Sequence, residues 1–403
     1  MNRMLQGDVG SGKTVVALFA MLLALESGYQ AALMAPTEIL AEQHARTIGA
    51  LLAPLGVGVT LMTGQLSAGD RRAAHEAAAS GSARIVIGTH ALIQDAVRFH
   101  RLGIAITDEQ HRFGVRQRQA LAQHGVDADV LVMSATPIPR SLALTLYGDL
   151  DLSILDELPP GRQKIRTAVR AGSARDRVYD FVRDEVARGR QAYFVYPLVD
   201  ESEKLELRAA SAEYQRLADD VFPGLRLGLL HGQLQGEQKD AVMQAFAAGD
   251  IDVLVATTVI EVGIDVANAT VMVIEHADRF GLSQLHQLRG RVGRGAGQSY
   301  CILIAGDYAD RLQVLAHTDD GFEISRADLA LRGMGDFFGA RQHGLPDFRF
   351  FDPLKDDDLM LRARAAADDI VARDPLLAHP DHTGLRATLT RRFADRAALF
   401  DVG

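Results

Sequence analysis

Short apolar runs recur along the first three quarters of the chain, each closed by small or polar residues and followed by a stretch with helical spacing. The first half holds a run ending at Gln6, a helix predicted from Lys13, and then AALMAP, RIVIGTH, IAITDE and VLVMSAT. Continuous apolar runs of this length read as strands covered on both faces, which is the pattern of a parallel sheet flanked by helices. Leu158 to Arg162 (LPPGR) interrupts the rhythm as a linker, and a second series begins with QAYFVYP, LRLGLLHG, IDVLVATT, ATVMVIEH and SYCILIAG. The predicted fold class is α/β: two tandem doubly wound domains with parallel sheets and a cleft between them, with no residue-level repeat read between the halves. After about residue 311 the rhythm fails. The tail carries LRGMGDFFGARQHG, Pro346, Pro353 and an acidic DDD, and is expected to form a small helical or hairpin appendage. The expected domains are 1–157, 158–311 and 312–403.

Composition narrows the class. The chain has 403 residues, 48% hydrophobic and 24% charged, which is globular and long enough for more than one domain. Its longest apolar run, Val15 to Leu25, has eleven residues, short of the roughly 20 needed to span a bilayer. That run is read as a buried helix, and no membrane partner is expected. A single cysteine, Cys301, can form neither an internal disulfide nor a thiolate cluster, so the cytoplasm is the expected compartment. The formal charge of -9 argues mildly against a wholly basic, nucleic-acid-gripping surface. Charge is local, however. Between Arg279 and Gly306 the only charged side chains are Arg279, Arg289, Arg291 and Arg294, so an anion is expected there.

GDVGSGKT supplies a phosphate-binding loop: Gly7, Asp8, Val9, Gly10, Ser11, Gly12, Lys13 and Thr14. A strand precedes it and a helix follows, so loop amides and the helix N-terminus can wrap a polyphosphate. Lys13 would reach the outer phosphates of ATP, and the Thr14 hydroxyl would coordinate Mg²⁺. DEQH, at the end of the apolar run IAIT, places Asp108 to complete the metal shell and Glu109 to orient the attacking water. QLRGRVGRG offers Arg291 and Arg294 as arginine fingers from the second domain, with glycines that let the backbone come close to a partner. The bland alternative is arginines paired with local acids, and no acid lies nearby in sequence.

In this order and spacing, the phosphate loop, DEQH, SATPIPR and QLRGRVGRG resemble a superfamily 2 helicase, which implies two RecA-like P-loop domains. By that resemblance Pro36 and Thr37 in APTEIL, and Thr89 and His90 in GTHAL, are candidate strand contacts. Ser134 and Thr136 resemble the motif that couples nucleotide state to strand binding, and Thr257, Gly263 and Asp265 in ATTVIEVGIDV would serve the second domain similarly, with Gln287 beside the arginines. Ser134 and Thr136 could equally cap the following helix. The tail segment DLALRGMGDFFGARQHGLPDF closely resembles the translocation motif of the RecG helicases. That implies a hairpin network containing Arg311, Arg332 and Gln342 that turns hydrolysis into movement on duplex DNA. Met334, Asp336 and His343 depart from the family's Pro, Glu and Ser.

The resemblance implies an ATP- and Mg²⁺-dependent DNA helicase or translocase acting on branched DNA in recombination and repair, expected to be a monomer. RecG proteins also carry an N-terminal wedge domain and an adenine-recognition segment, neither of which is in these 403 residues. Met1, one strand before the phosphate loop, is therefore read as an internal methionine or a trimmed start. The rival readings are a transcription-repair coupling motor, a non-catalytic or weakly active truncated motor fragment, and a DEAD-box-like RNA helicase; DEQH and the tail disfavour the last.

Overall fold

The computed structural model describes residues 1–94, 96–108, 121, 128–135, 150–157, 163–197, 203–257, 266–295, 297–306, 310–338 and 356–393, without the side chains of 203–209, 332–338, 357, 392 and 393. Two compact units emerge. One comprises Met1–Ile138 and Gly148–Gly339, the other Pro139–Tyr147 and Ala340–Gly403.

The first unit holds two parallel sheets among its described residues. Strands β1 (Asn2–Gly7), β2 (Gln30–Met34), β3 (Val59–Met62), β4 (Ile85–Gly88), β5 (Leu102–Thr107), β6 (Asp129–Ser134) and β7 (Asp151–Leu155) lie in the order β3-β4-β2-β5-β6-β1-β7. The crossovers carry helices α1 (Lys13–Glu26), α2 (Glu38–Leu52) and α3 (Ala68–Ser80). The second sheet contains β8 (Arg166–Ala171), β9 (Gln191–Val195), β10 (Leu227–Leu230), β11 (Val253–Ala256), β12 (Ala269–Ile274) and β13 (Tyr300–Ala305), ordered β10-β11-β9-β12-β13-β8. With it go α4 (Arg175–Ala187), α5 (Glu203–Arg216), α6 (Gly236–Ala248), α7 (Leu282–Arg289), α8 (Gln313–His317) and α9 (Gly321–Phe338). Every adjacent strand pair is parallel. All strands of a sheet therefore end on the same side, and the loops that leave those ends gather there.

The interior strands are the apolar runs of the sequence. All residues of β2 and β12 are buried, as strands covered by helices on both faces must be. Three strands were not foreseen, β3, β7 and β8, and each lies at a sheet edge where one flank is open and the residues are only half buried. A second correction concerns the run Val15–Leu25. Helix α1 buries Ala17, Leu18, Met21 and Leu25 but exposes Phe19 (65%) and Leu23 (66%), so it is covered on one face only. Among the described residues, no helix is long and apolar enough to cross a membrane.

The halves also share a residue-level repeat, contrary to expectation. Gly28-Tyr29-Gln30-Ala31 leads into β2 and Pro36 follows it; Gly189-Arg190-Gln191-Ala192 leads into β9 and Pro197 follows it. β2 and β9 are the third strands of their sheets. Both glycines have positive φ, +79° and +80°, which favours glycine at these turns. Both glutamines are buried and perform one task. The Gln30 amide donates to Ala78 O and Ala83 O while its oxygen accepts from Arg101 N–H; the Gln191 amide donates to Phe246 O and Ile251 O while its oxygen accepts from Asn268. Each glutamine satisfies backbone groups where a helix turns back into the sheet, a need that an apolar residue could not meet.

In the second unit α10 (Asp357–Arg373) and α11 (Thr383–Phe393) are joined by a turn in which Asp374 accepts from the amides of Ala378 and His379 and from the His382 ring. Those donors hold the Asp374 carboxyl down to about 2.

Candidate nucleotide and nucleic-acid site

The phosphate loop leaves the end of β1 and enters α1 at Lys13, so the N-terminal turn of the helix lies against the loop. Gly12 caps the helix in the left-handed region (φ +96°), with Gly10 also at positive φ (+77°). Gly7 is close-packed: a Cβ there would lie 2.5 Å from Ser11 Oγ and 2.9 Å from Leu155 Cβ. Lys13 Nζ donates to the carbonyls of Gly7 and Asp8, both at 2.8 Å, which keeps its ammonium inside the curl of the loop. The Ser11 hydroxyl is buried in the loop without a hydrogen-bond partner. A glycine-shaped cradle with an ammonium in its mouth and an unmatched hydroxyl fits a polyphosphate and its metal.

Asp108 follows β5 directly, its amide donating to Met34 O at 2.9 Å. Its Oδ2 accepts from Nε2 of His44, on α2, at 2.7 Å. His44 was not singled out from sequence. Position-specific spacing gives no hint of it, since 64 residues separate the pair. Glu109, Thr136, Gly263, Asp265 and Gln342 lie outside the described residues, and of Arg332 only the backbone, within α9, is described. Thr14, half-buried, follows Lys13 on the first turn of α1, and Ser134 ends β6, buried.

The second domain meets the loop through α7 and the turn after it. His286 Nε2 lies 2.7 Å from Asp8 Oδ1, and Gly290 packs so closely on Val9 that a Cβ at 290 would fall 3.0 Å from Val9 Cβ. Arg291 and Arg294 follow immediately, both half-buried, with Arg294 Nε donating to Gly290 O at 3.2 Å; Gln287 is half-buried on α7. Arg289, which sequence grouped with the anion-seeking arginines, is instead buried and committed to protein. It donates to Leu315 O (2.7 Å) and Thr318 O (3.0 Å) and faces Asp319 at 3.4 Å. Arg311 donates to the carbonyls of Asp278 and Phe280, pinning the turn before α7.

Two of the expected strand contacts share a place in the architecture. Thr89 follows β4 and Thr257 follows β11, the second strands of the two sheets. Both are buried to 1% exposure, and neither hydroxyl has a hydrogen-bond partner. A buried hydroxyl left unmatched costs free energy, and Thr107 and Thr270 carry unmatched hydroxyls as well. His90 is exposed beside Thr89. Thr37 caps α2, its oxygen accepting from Leu40 N–H at 3.4 Å, with Pro36 just before it.

Beside Thr257 lies a cavity of about 500 Å³ lined by Arg175, Tyr196, Glu213, Arg216, Glu275 and His276 among others. Glu275, its side chain 2% exposed, is gripped by Arg175 through Nε (3.1 Å to both oxygens) and Nη2 (2.9 Å). The bidentate pairing keeps the guanidinium firmly protonated. Burial pushes the Tyr196 phenol far above its usual range, leaving it a neutral hydroxyl.

The chain matches three family models in succession: DEAD/DEAH box helicase over residues 1–145, helicase conserved C-terminal domain over 174–296, and ATP-dependent DNA helicase RecG, domain 3, C-terminal, over 318–392. It is 52% identical to the ATP-dependent DNA helicase RecG of Synechocystis over 98% of its own length and 48% of that protein. With the Bacillus subtilis RecG it shares 50% identity over 97% of itself and 58% of that protein. The chain thus spans about half the length of the curated relatives it matches. A solved RecG bound to a three-way DNA junction superposes with a TM-score of 0.75 at 48% identity, covering 89% of this chain and 47% of that one. A single-substitution variant of S. cerevisiae Dbp5 bound to RNA and ADP BeF3 gives a TM-score of 0.58 at 18% identity, over 80% and 83% of the two chains, which extends the likeness in fold alone. With helicase models matching both sheet domains, a RecG-specific model matching the tail, and about half of all residues identical to curated RecG proteins, the chain belongs to the RecG family of ATP-dependent DNA helicases.

Proposed function

We propose that the chain is the motor of a RecG-type enzyme, hydrolysing ATP to move on branched duplex DNA. What supports this reading is the seating of Gly290 and His286 of one domain against the phosphate loop of the other, close in sequence to Arg291 and Arg294. Lys13 would release the loop carbonyls to bind the outer phosphates, and the loop amides from Gly7 to Thr14 would hold the rest. Thr14 and Asp108 would hold Mg²⁺, with His44 fixing the Asp108 carboxylate. The metal, when bound, neutralises charge between the phosphates. Glu109 is assigned to orient the attacking water, and Arg291 and Arg294 to meet the charge that develops on the transferred phosphoryl group. Such fingers contribute about 10³–10⁵ in rate.

Strand phosphates would complete the unmatched hydroxyls of Thr89 and Thr257, aided by Pro36, Thr37 and His90. A net-acidic chain can bind a polyanion through so narrow a lining because phosphate contacts need only local donors. Ser134, Thr136, Gly263, Asp265 and Gln287 are assigned to coupling, and Arg311, Arg332 and Gln342 to the translocation hairpin. We assign 1–157 and 158–311 to the two RecA-like domains and 312–403 to the tail, in a cytoplasmic monomer.

The test is ATP turnover by the chain with forked DNA, linear duplex or RNA, alongside Lys13→Ala. Fork-stimulated turnover that Lys13→Ala abolishes at unchanged melting temperature is the expected result. Retained turnover in the variant, or equal stimulation by RNA, would reject the assignment.

A further inference from the structure

The contact between His286 and the phosphate loop continues beyond the loop. Nε2 of His286 faces Asp8 Oδ1 at 2.7 Å, and its other nitrogen, Nδ1, faces Arg289 Nη2 at 2.9 Å. An arginine only donates, so Nδ1 accepts and the ring proton sits on Nε2, donating to the Asp8 carboxylate. Arg289 in turn donates to the carbonyls of Leu315 and Thr318 and faces Asp319, closing the end of α8 and the entry to α9. A second tie runs back from α9 to α7, where Asp328 accepts from the amides of Leu282 and Ser283. His286 and Arg289 are buried, and a cavity of about 100 Å³ lies beside them, bounded by Asp8, Lys164, His286, Arg289 and Asp319. Water screens this line of charge-assisted bonds poorly, so a shift at one end is felt at the other.

We propose that His286 is a positioning residue: it relays the placement of Asp8 in the phosphate loop, through Arg289, to the Leu315–Asp319 segment that enters α9. The proposal rests on the nucleotide reading of the loop and adds the route by which that loop sets the helix carrying Arg332. A ring with one donor and one acceptor suits the task, because it can bond the Asp8 carboxylate through Nε2 and the Arg289 guanidinium through Nδ1 at the same time. An alanine at 286 removes both bonds, whereas glutamine keeps a donor toward Asp8.

The decisive experiment reads amide hydrogen exchange at Leu315–Ile324 in the nucleotide-free chain, in a cycle of Asp8→Ala, His286→Ala and the double variant. Loss of one buried charge-assisted bond is expected to raise exchange there about tenfold in Asp8→Ala. Added to His286→Ala, Asp8→Ala should then have less than about a twofold further effect, since the link is already cut. Equal effects in the two backgrounds, or none in either, overturn the relay whether or not the chain hydrolyses ATP. In turnover with forked DNA, His286→Ala should lower kcat about tenfold with the KM for ATP within about threefold, and His286→Gln should recover part of it. A raised KM at unchanged kcat would instead make His286 a nucleotide-binding group and overturn the relay. An inactive parent chain rejects the proposed function while the exchange cycle still decides the relay.

Discussion

Gly290→Ala tests how closely the two domains must approach. Gly290 ends α7 with φ -64° and ψ -8°, a conformation open to any residue, so its lack of a side chain is needed for space rather than for backbone freedom. An added Cβ would lie 3.0 Å from Val9 Cβ and 3.2 Å from each Val9 Cγ. Carbon atoms prefer about 3.5–4.0 Å, so three contacts are short by several tenths of an ångström. Overpacking of this kind costs about 1–3 kcal/mol. A middle value of about 2 kcal/mol corresponds to roughly a 30-fold shift against the seated state. The cost falls only when loop and turn meet, because alanine is otherwise a better helix residue than glycine by about 1 kcal/mol. Fork-stimulated kcat is therefore expected to fall between about 10- and 30-fold with the melting temperature unchanged or slightly higher. Adding Val9→Ala, which removes two of the three contacts, should restore much of the loss. Full activity in Gly290→Ala, or a loss that tracks a melting temperature lowered by more than about 4 °C, would refute the argument that close approach sets the need for glycine.

Removing the Arg175 guanidinium strands the buried Glu275 carboxylate, so Arg175→Ala should destabilise the second domain by about 2–3 kcal/mol, discounted from the buried-pair range because Arg175 is partly exposed; urea unfolding checks this, and Arg175→Met with Glu275→Gln should recover most of it. Glu42 sits above the usual carboxylate range, chiefly through burial and then through the charges of Asp240 and Glu38. A carboxyl raised on folding costs stability once pH exceeds its unfolded pKa and stops costing it as pH falls below that, so Glu42→Gln should raise the melting temperature at pH 7–8 and lose the advantage toward pH 4. The Cys301 thiol is buried and pushed up to about 12. A disulfide reagent at pH 8 should therefore label it only as fast as the second domain opens, with urea accelerating the reaction in step with unfolding; immediate labelling of the folded chain would contradict the placement of β13.

The interior strands were legible because burial on both faces leaves an unbroken apolar run, as in β2, β5 and β12. The edge strands β3, β7 and β8 were not, because an edge keeps polar residues such as Thr60, Ser153 and Arg170 among the apolar ones. That a glycine-rich loop follows β1, that Asp108 follows β5 and that an arginine-bearing turn follows α7 was legible because each segment is marked by its own local spacing of glycines and charges. His44 and His286 were not, since their partners lie 64 and 278 residues away and nothing local marks them. The repeat around Gln30 and Gln191 was visible in principle as Gly-x-Gln-Ala before an apolar run and a proline. It was obscured because the strands between differ in bulk, Ala-Leu-Met against Tyr-Phe-Val.

The pair formed by Arg175 and Glu275 acquires a meaning from the shared plan of the two sheets. β8 holds the sixth place in its sheet, as β1 does in the other, and β12 holds the fourth, as β5 does. Arg175 opens the helix after β8, where Lys13 opens the helix after β1, and Glu275 follows β12 as Asp108 follows β5. The second domain thus keeps a cation and an acid at the places where the first keeps its two charged anchors, but here they are bonded to each other. In the second domain the two charges neutralise each other at the wall of the cavity beside Thr257. Two bodies of one plan thus need not carry one chemistry, because the corresponding cation and acid of the second are spent on its own fold.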